Sequence, residues 1–209
     1  MTEPTTRLAR PGVGDDGRDE ILEAAALEFM ERGYAAASID GIADRLGATK
    51  GRVYHYYRSK ADLYLDVQRK ATEVALAVVE PLAVASGSHV ERLRAMAIAH
   101  ITVVLQHFPL QRVSAQGLER ALSTAGRDGG LEHVIDLRDR YEQLFVRAID
   151  AGVRDGDLRR VDPRLAVKPF LGALNWTVFW YRPAETRNDR DDAALAAELA
   201  EFVVRGLLA

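Results

Sequence analysis

Apolar residues in this 209-residue chain recur at spacings of three and four almost throughout, and no stretch of useful length alternates apolar with polar. Alternation marks a strand and a 3.6-residue period marks a helix that buries one face, so the chain is expected to be all-α. Leu22, Ala25, Ala26, Phe29 and Met30 share one face of a first helix that starts near Asp19 and is stopped by Gly33. Ser38 is a good N-cap for a second helix, on which Ile39, Ile42, Ala43 and Leu46 form an apolar stripe before Gly47 ends it. Thr49 stands where it can cap a third short helix, which opens on Lys50, Gly51 and Arg52 and runs to about Tyr56. Two short helices joined at a glycine form a helix-turn-helix.

The rest of the chain continues in the same period. Ser59 with Asp62 fits a capping box, and Leu63, Val67, Ala71, Val74 and Val78 define a long fourth helix to about Ala83 that would connect two domains. Leu93, Ala97, Ile101, Val104 and Phe108 mark the next helix, broken near Pro109. A short helix is expected over 110–122, a loop over 126–130, and a further long helix through Val134, Leu137, Tyr141, Leu144, Phe145 and Ala148 that ends by Gly152 to Gly156. Asp162 followed by Pro163 opens a helix to about Tyr181, and Leu195, Leu199, Phe202, Val203 and Leu207 lie on the last, about nine helices in all. Residues 1–17 hold Pro4, Pro11, Gly12, Gly14 and Gly17 and no periodicity, and read as a flexible arm.

Composition removes several function classes. Without cysteine there is no disulfide framework, thiolate zinc site or cysteine nucleophile. The first residues contain no apolar run that would serve as a signal peptide, and no later stretch approaches the roughly 20 apolar residues of a membrane span, so a cytoplasmic protein without a membrane partner is expected. A net charge of −3 and a pI near 6.0 mean that any surface for nucleic acid must be local. Such a window exists: residues 45–60 hold Arg45, Lys50, Arg52, Arg58 and Lys60 and neither Asp nor Glu. A helix in the major groove presents its N-terminal side chains to base edges, which makes Lys50 and Arg52 the candidate base readers, with Gly51 permitting close backbone approach. Tyr54 and His55, one turn on, are candidates for thymine methyls or phosphates.

Residues 38–63 read SIDGIADRLGATKGRVYHYYRSKADL and resemble the TetR family. The resemblance rests on Ser38, Ile42-Ala43, Gly47, Gly51 with Tyr54, Tyr56-Tyr57, Ser59-Lys60 and Leu63; Val53, Tyr57 and Ala61 depart mildly from the commoner residues. It implies phosphate contacts from Ser38, Thr49, Tyr56 and Lys60, the last also beside the N-cap of the fourth helix, where an anion would be welcome. Arg45, on the helix that merely flanks the DNA backbone, is a weaker phosphate candidate, and Tyr57 reads as a core plug. The division that follows is an arm (1–17), a helix-turn-helix DNA-binding domain (18–62) and a ligand-binding and dimerisation domain (63–209).

One helix-turn-helix reads only a few base pairs, so a homodimer on a palindromic double-stranded operator is expected. The resemblance places its interface on the last two helices, over 163–181 and 192–207, where Leu165, Phe170, Leu174, Val178, Leu195, Leu199, Phe202 and Leu207 exceed the needs of one internal face. It also implies a small-molecule inducer held among the middle helices, with His100, Val104, Phe108, Tyr141, Phe145, Trp176 and Phe179 as lining candidates. His100 and His107 share a face but have no neighbouring carboxylate constellation, so neither metal nor cofactor is expected. Leu174-Asn175-Trp176 and Trp180-Tyr181-Arg182-Pro183 are similar to the eighth-helix ending of TetR-like repressors of sterol and fatty-acid breakdown that sense coenzyme A thioesters, with Phe179 where some of those carry arginine. The expected ligand is long and mostly apolar with a polar or anionic end. No Glu-x-x-His pair, phosphate-cradling glycine loop or Ser-His-Asp layout points to an enzyme. The competing readings are a multidrug-responsive repressor or an activator of the same fold, and a constitutive DNA binder without a ligand.

Overall fold

The computed structural model describes residues 16–115, 129–183 and 189–208. The helices are α1 (Asp16–Ala36), α2 (Ile39–Arg45), α3 (Lys50–Tyr56), α4 (Lys60–Ala83), α5 (His89–Gln106), α6 (Phe108–Ala115), α7 (Gly129–Asp155), α8 (Pro163–Asn175), α9 (Thr177–Trp180) and α10 (Asp189–Arg205). Taken with α9 as one helix interrupted at Trp176, α8 brings the described residues to the nine helices expected, and their only β-pairing is an isolated bridge between Leu158 and Leu208. The arm before Asp16, the second half of the helix expected over 110–122 and residues 126–128 of the expected loop lie outside the described residues.

The helix boundaries follow their caps. Ser59 Oγ accepts from Asp62 N at 3.1 Å, and Asp162 accepts from Arg164 N at 2.9 Å with Pro163 in the first turn. The full capping box belongs to Ser88 and Glu91 at the head of α5. Gly33, at φ 71°, puts a kink in α1, which continues to Ala36. His107 separates α5 from α6, so Pro109 falls in the first turn of α6, where its missing N–H costs nothing.

Two apolar cores result. The first joins α1, α2 and α3 through Ile21, Phe29, Ile42 and Val53 to Leu63, Leu65 and Val67 of α4, and takes in Leu110 and Val113 of α6 and Leu131 and Val134 of α7. The second is built from the later half of α4 with α5, α7, α8 and α10, around Leu93, Met96, Ile101, Phe145, Ile149 and Leu174. Helix α4 runs unbroken through both, so the head that carries α2 and α3 is fixed to the helices behind it by one rigid rod. No single helix among the described residues is long and apolar enough to cross a membrane; α5 and α6 reach that composition only together, across a 105° bend.

Candidate functional site

Helix α3 keeps one residue, Val53, in the core and turns the rest outward or to the rim. Tyr54 is 52 % exposed and Tyr56 43 %, although Tyr56 also lies against Gly17 of α1, where a Cβ would sit 2.7 Å from its hydroxyl. His55 meets the Tyr56 ring edge-on at 5.0 Å. Lys50 Nζ lies 3.6 Å from Asp40 and Arg52 pairs with Glu20, both on the surface, where such pairs are worth about 0–1 kcal/mol and are readily exchanged for another anion. Ser38 is exposed and caps α2, its Oγ accepting from Gly41 N at 3.0 Å. Thr49 occupies the N-cap position of α3, but its hydroxyl makes no cap bond. The turn between the helices passes through Gly47 at φ 59°, a conformation that favours glycine.

Two of the expected phosphate contacts are engaged inside the protein. Arg45 donates to Glu28 at 2.8 Å and also pairs with Glu31, tying α2 to α1. Lys60 Nζ donates to the carbonyls of Tyr34 (2.8 Å) and Ala37 (2.9 Å) and lies 4.6 Å above the Tyr34 ring, so its charge sits at the C-terminal end of α1, where the helix dipole favours a cation.

Tyr57 is buried, and its hydroxyl donates to Asp66 Oδ2 at 2.6 Å. The same carboxylate accepts from Arg18 Nε and Nη2 (3.0 and 2.8 Å) and from Arg69 Nε (2.6 Å). Burial pulls the Asp66 pKa upward, but the bonds from Tyr57, Arg69 and Arg18 outweigh it and hold it below the usual carboxylate value. Burial, aided by Asp66, raises the Tyr57 pKa far enough that the hydroxyl remains a donor. This cluster joins the residue that ends α3 to the start of α1 and to α4. Asp66 and Arg69 are absent from the expected site; the available signal was a carboxylate one turn after Leu63, on the stripe that should have been apolar.

Among α4, α5, α6, α7 and α8 lies a cleft of about 380 Å³, lined by Thr72, His100, Gln111, Arg138, Tyr141 and Asn175 among others. His100 Nδ1 is 2.7 Å from the Tyr141 hydroxyl. Burial lowers the His100 pKa to about 4, with Asn175 acting in the opposite sense, so the ring is neutral at pH 7. Of the seven lining candidates the structure brings His100 and Tyr141 to this cleft. Val104, Phe108 and Phe145 pack in the second core. Trp176, 61 % exposed, stacks on Phe179 at 4.7 Å, and neither reaches the cleft. Arg138 was missed, although its place one turn from both Val134 and Tyr141 on the buried face of α7 marks it in the sequence. Among the described residues no three His, Asp or Glu side chains converge as a metal set would.

Outside, α8 and α10 present an apolar groove of about 1000 Å³ that includes Leu165, Pro169, Ala173, Phe202 and Val203. Leu165 is 70 % and Phe202 77 % exposed, while Leu174 and Val178 of the same expected interface point into the core.

Residues 86–207 match the tetracyclin repressor-like C-terminal domain, and residues 21–67 match the bacterial regulatory proteins of the tetR family. Over 168 residues the chain is 27% identical to the HTH-type transcriptional repressor KstR2 of Mycobacterium tuberculosis, covering 79% of this chain and 82% of that protein. Over 81 residues, 39% of this chain and 37% of the relative, it is 37% identical to the HTH-type transcriptional activator FasR of Mycolicibacterium smegmatis. In solved structures the fold is shared with PfmR from Thermus thermophilus, a TetR family transcriptional regulator, at a TM-score of 0.76 and 29% identity, covering 88% of this chain and 97% of that one. It is shared too with AibR in complex with isovaleryl coenzyme A and operator DNA, at a TM-score of 0.74 and 23% identity over 92% of this chain and 98% of that one. An all-helical fold with a short, largely exposed α3, matched by both family descriptions across most of its length, makes this chain a member of the TetR family of transcriptional regulators.

Proposed function

We propose that this chain is a cytoplasmic, ligand-responsive repressor that binds a palindromic operator as a homodimer and is released by a small-molecule inducer. The observation that carries the reading is helix α3, which commits Val53 alone to the core and offers Lys50, Tyr54 and His55 to solvent, with Arg52 at its edge. Gly51 adds to it: a Cβ there would meet nothing nearer than Thr49 Oγ1 at 3.5 Å, so nothing in the monomer requires a glycine, whereas a backbone pressed against DNA would. Lys50 and Arg52 read bases, and Ser38, Thr49, Tyr54, His55 and Tyr56 contact phosphate or thymine. Arg45 and Lys60 hold α2 and α4 against α1 and add phosphate contacts from there. Residues 18–62 are the reading head, and 63–209 bind the ligand and pair the protomers.

The unpartnered face of α8 and α10 would bring two heads to adjacent half-sites, since a two-fold contact uses the same patch twice. The inducer enters the cleft behind α4 and acts by preferring one spacing of the heads over the other. The AibR complex with isovaleryl coenzyme A favours an inducer from acyl metabolism, and the ending of α8 and α9 favours a long apolar acid or its coenzyme A thioester. FasR favours an activator as the second reading. The test is selection of bound fragments from the source genome by the purified protein at moderate and high salt. A shared palindrome supports the proposal, and salt-limited binding without a motif refutes it.

A further inference from the structure

We infer that the cleft among α4, α5, α6, α7 and α8 is a site for a free organic acid with a hydrocarbon body, with the Arg138 guanidinium taking its carboxylate. This rests on the ligand-responsive reading above and names the chemistry of its site. Arg138 projects from the buried face of α7, its Nη1 is fully buried without a hydrogen-bond partner, and among the described residues it makes no ion pair. A guanidinium cannot escape this by losing its proton, so the folded protein holds at the cleft wall a charge that no bonded carboxylate neutralises and that Asp139, on the same wall, offsets only through space. Burial lowers the Arg138 pKa, and Tyr64 and Asp139 oppose that only in part. An arriving carboxylate would supply the missing acceptors in the paired geometry that arginine prefers.

The other charged and polar groups define the rest of the ligand. Lys168 is 61 % exposed and pairs with Glu142 at 2.7 Å, so solvent screens it at the cleft mouth, and Gln111 is committed to the Ala71 carbonyl at 2.8 Å. His100 is neutral and its Nε2 has no partner, so it can give or take one hydrogen bond according to tautomer. Ala71, Ala75, Ile135 and Leu171 supply apolar wall. One unpaired cation, one adaptable neutral group and an apolar wall suit an acid with a hydrocarbon body. A volume of about 380 Å³ lies near the low end for small-molecule sites, roughly 300–1,000 Å³, and is sufficient for an acid of this kind. Arg138 is one turn from Val134, which packs in the core of the reading head, so a carboxylate pulling on Arg138 acts on the helix that supports α4.

The test is calorimetric titration of the full chain with straight-chain monocarboxylates from butanoate to decanoate, with the matching primary amides and with decanoyl-coenzyme A. At least one carboxylate should bind at least tenfold more tightly than its amide. Arg138→Met should lose about tenfold to a hundredfold of that affinity while leaving the amide unchanged. Arg138→Lys, which keeps the charge and loses the paired geometry, should fall between. No carboxylate bound by the wild type, equal affinity for acid and amide, an indifferent Arg138→Met, or binding of the thioester alone would each overturn the assignment. Operator binding by Arg138→Met separates the two levels: retained DNA binding leaves the repressor reading standing when the acid site fails.

Discussion

Replacing Asp66 with Asn removes one negative charge from the point where α1, α3 and α4 meet and leaves the side chain's shape nearly unchanged. The carboxylate accepts from Tyr57 (2.6 Å), Arg69 (2.6 Å) and Arg18 (2.8 and 3.0 Å). The Tyr57 bond is between a neutral donor and a buried acceptor and is worth about 1 kcal/mol. The Arg69 bond is charge-assisted and partly shielded, at roughly 1.5 kcal/mol. Arg18 is 47 % exposed, so solvent screening reduces its share to about 0.5 kcal/mol. Asparagine keeps one oxygen and recovers about 1 kcal/mol of this, which leaves an expected loss of about 2 kcal/mol. Urea unfolding followed by circular dichroism measures that loss, and fluorescence anisotropy with operator DNA measures the accompanying fall in affinity, since Tyr57 ends α3, the helix proposed to read the operator. Tyr57→Phe should lose about 1 kcal/mol by the same assay. A stability for Asp66→Asn within about 0.5 kcal/mol of wild type would refute the reasoning, as would strict additivity with Arg18→Met in a double-mutant cycle.

Three further outcomes are expected. Lys50→Ala with Arg52→Ala should abolish specific operator binding and shift the unfolding midpoint little, because both side chains make only surface pairs; retained affinity in a filter or anisotropy assay would remove them as base readers. Phe202→Glu with Leu165→Glu places charge on side chains that are 77 % and 70 % exposed in the monomer, so sedimentation should report a folded monomer. A dimer that survives both changes argues for an interface elsewhere. His100 has a folded pKa of about 4, below its ordinary unfolded value near 6.5, so its contribution is complete above pH 6.5 and is lost as pH falls toward 4. The loss is at most about 3 kcal/mol, and urea midpoints between pH 7 and 5 should fall less steeply for His100→Gln than for wild type.

Much of the reading head is legible in a single sequence because its signals are local. The Ser38 cap, the Ile39-Ile42-Ala43 stripe and the stop at Gly47, like the Asp162-Pro163 start far behind them, act within four residues of themselves, and the structure places each helix where they say. Charged side chains are harder, since a lysine in a basic window looks the same whether it faces solvent or a helix end. Lys60 and Arg45 are of this kind: their partners Tyr34, Ala37, Glu28 and Glu31 are between 14 and 26 residues away. The aromatic residues offered as pocket lining divide for a related reason. Periodicity shows that Val104, Phe108 and Phe145 are buried, and burial in a packed core and exposure to an internal cleft leave the same trace in the sequence.

By itself, then, the sequence determined the all-helical class, the helix-turn-helix and the exposure of Lys50, since each depends on residue period, a cap or a glycine close along the chain. Only the tertiary structure decided which charges are spent inside the protein, that Asp66 rather than an apolar residue holds α3 to α4, that Leu165 and Phe202 are left uncovered while Leu174 is not, and that Arg138 faces a cleft with its Nη1 buried and without a hydrogen-bond partner. The physical reason is that pairing and exposure are properties of what arrives from distant parts of the chain, and the free energy of a buried charge depends on those neighbours rather than on the residues beside it.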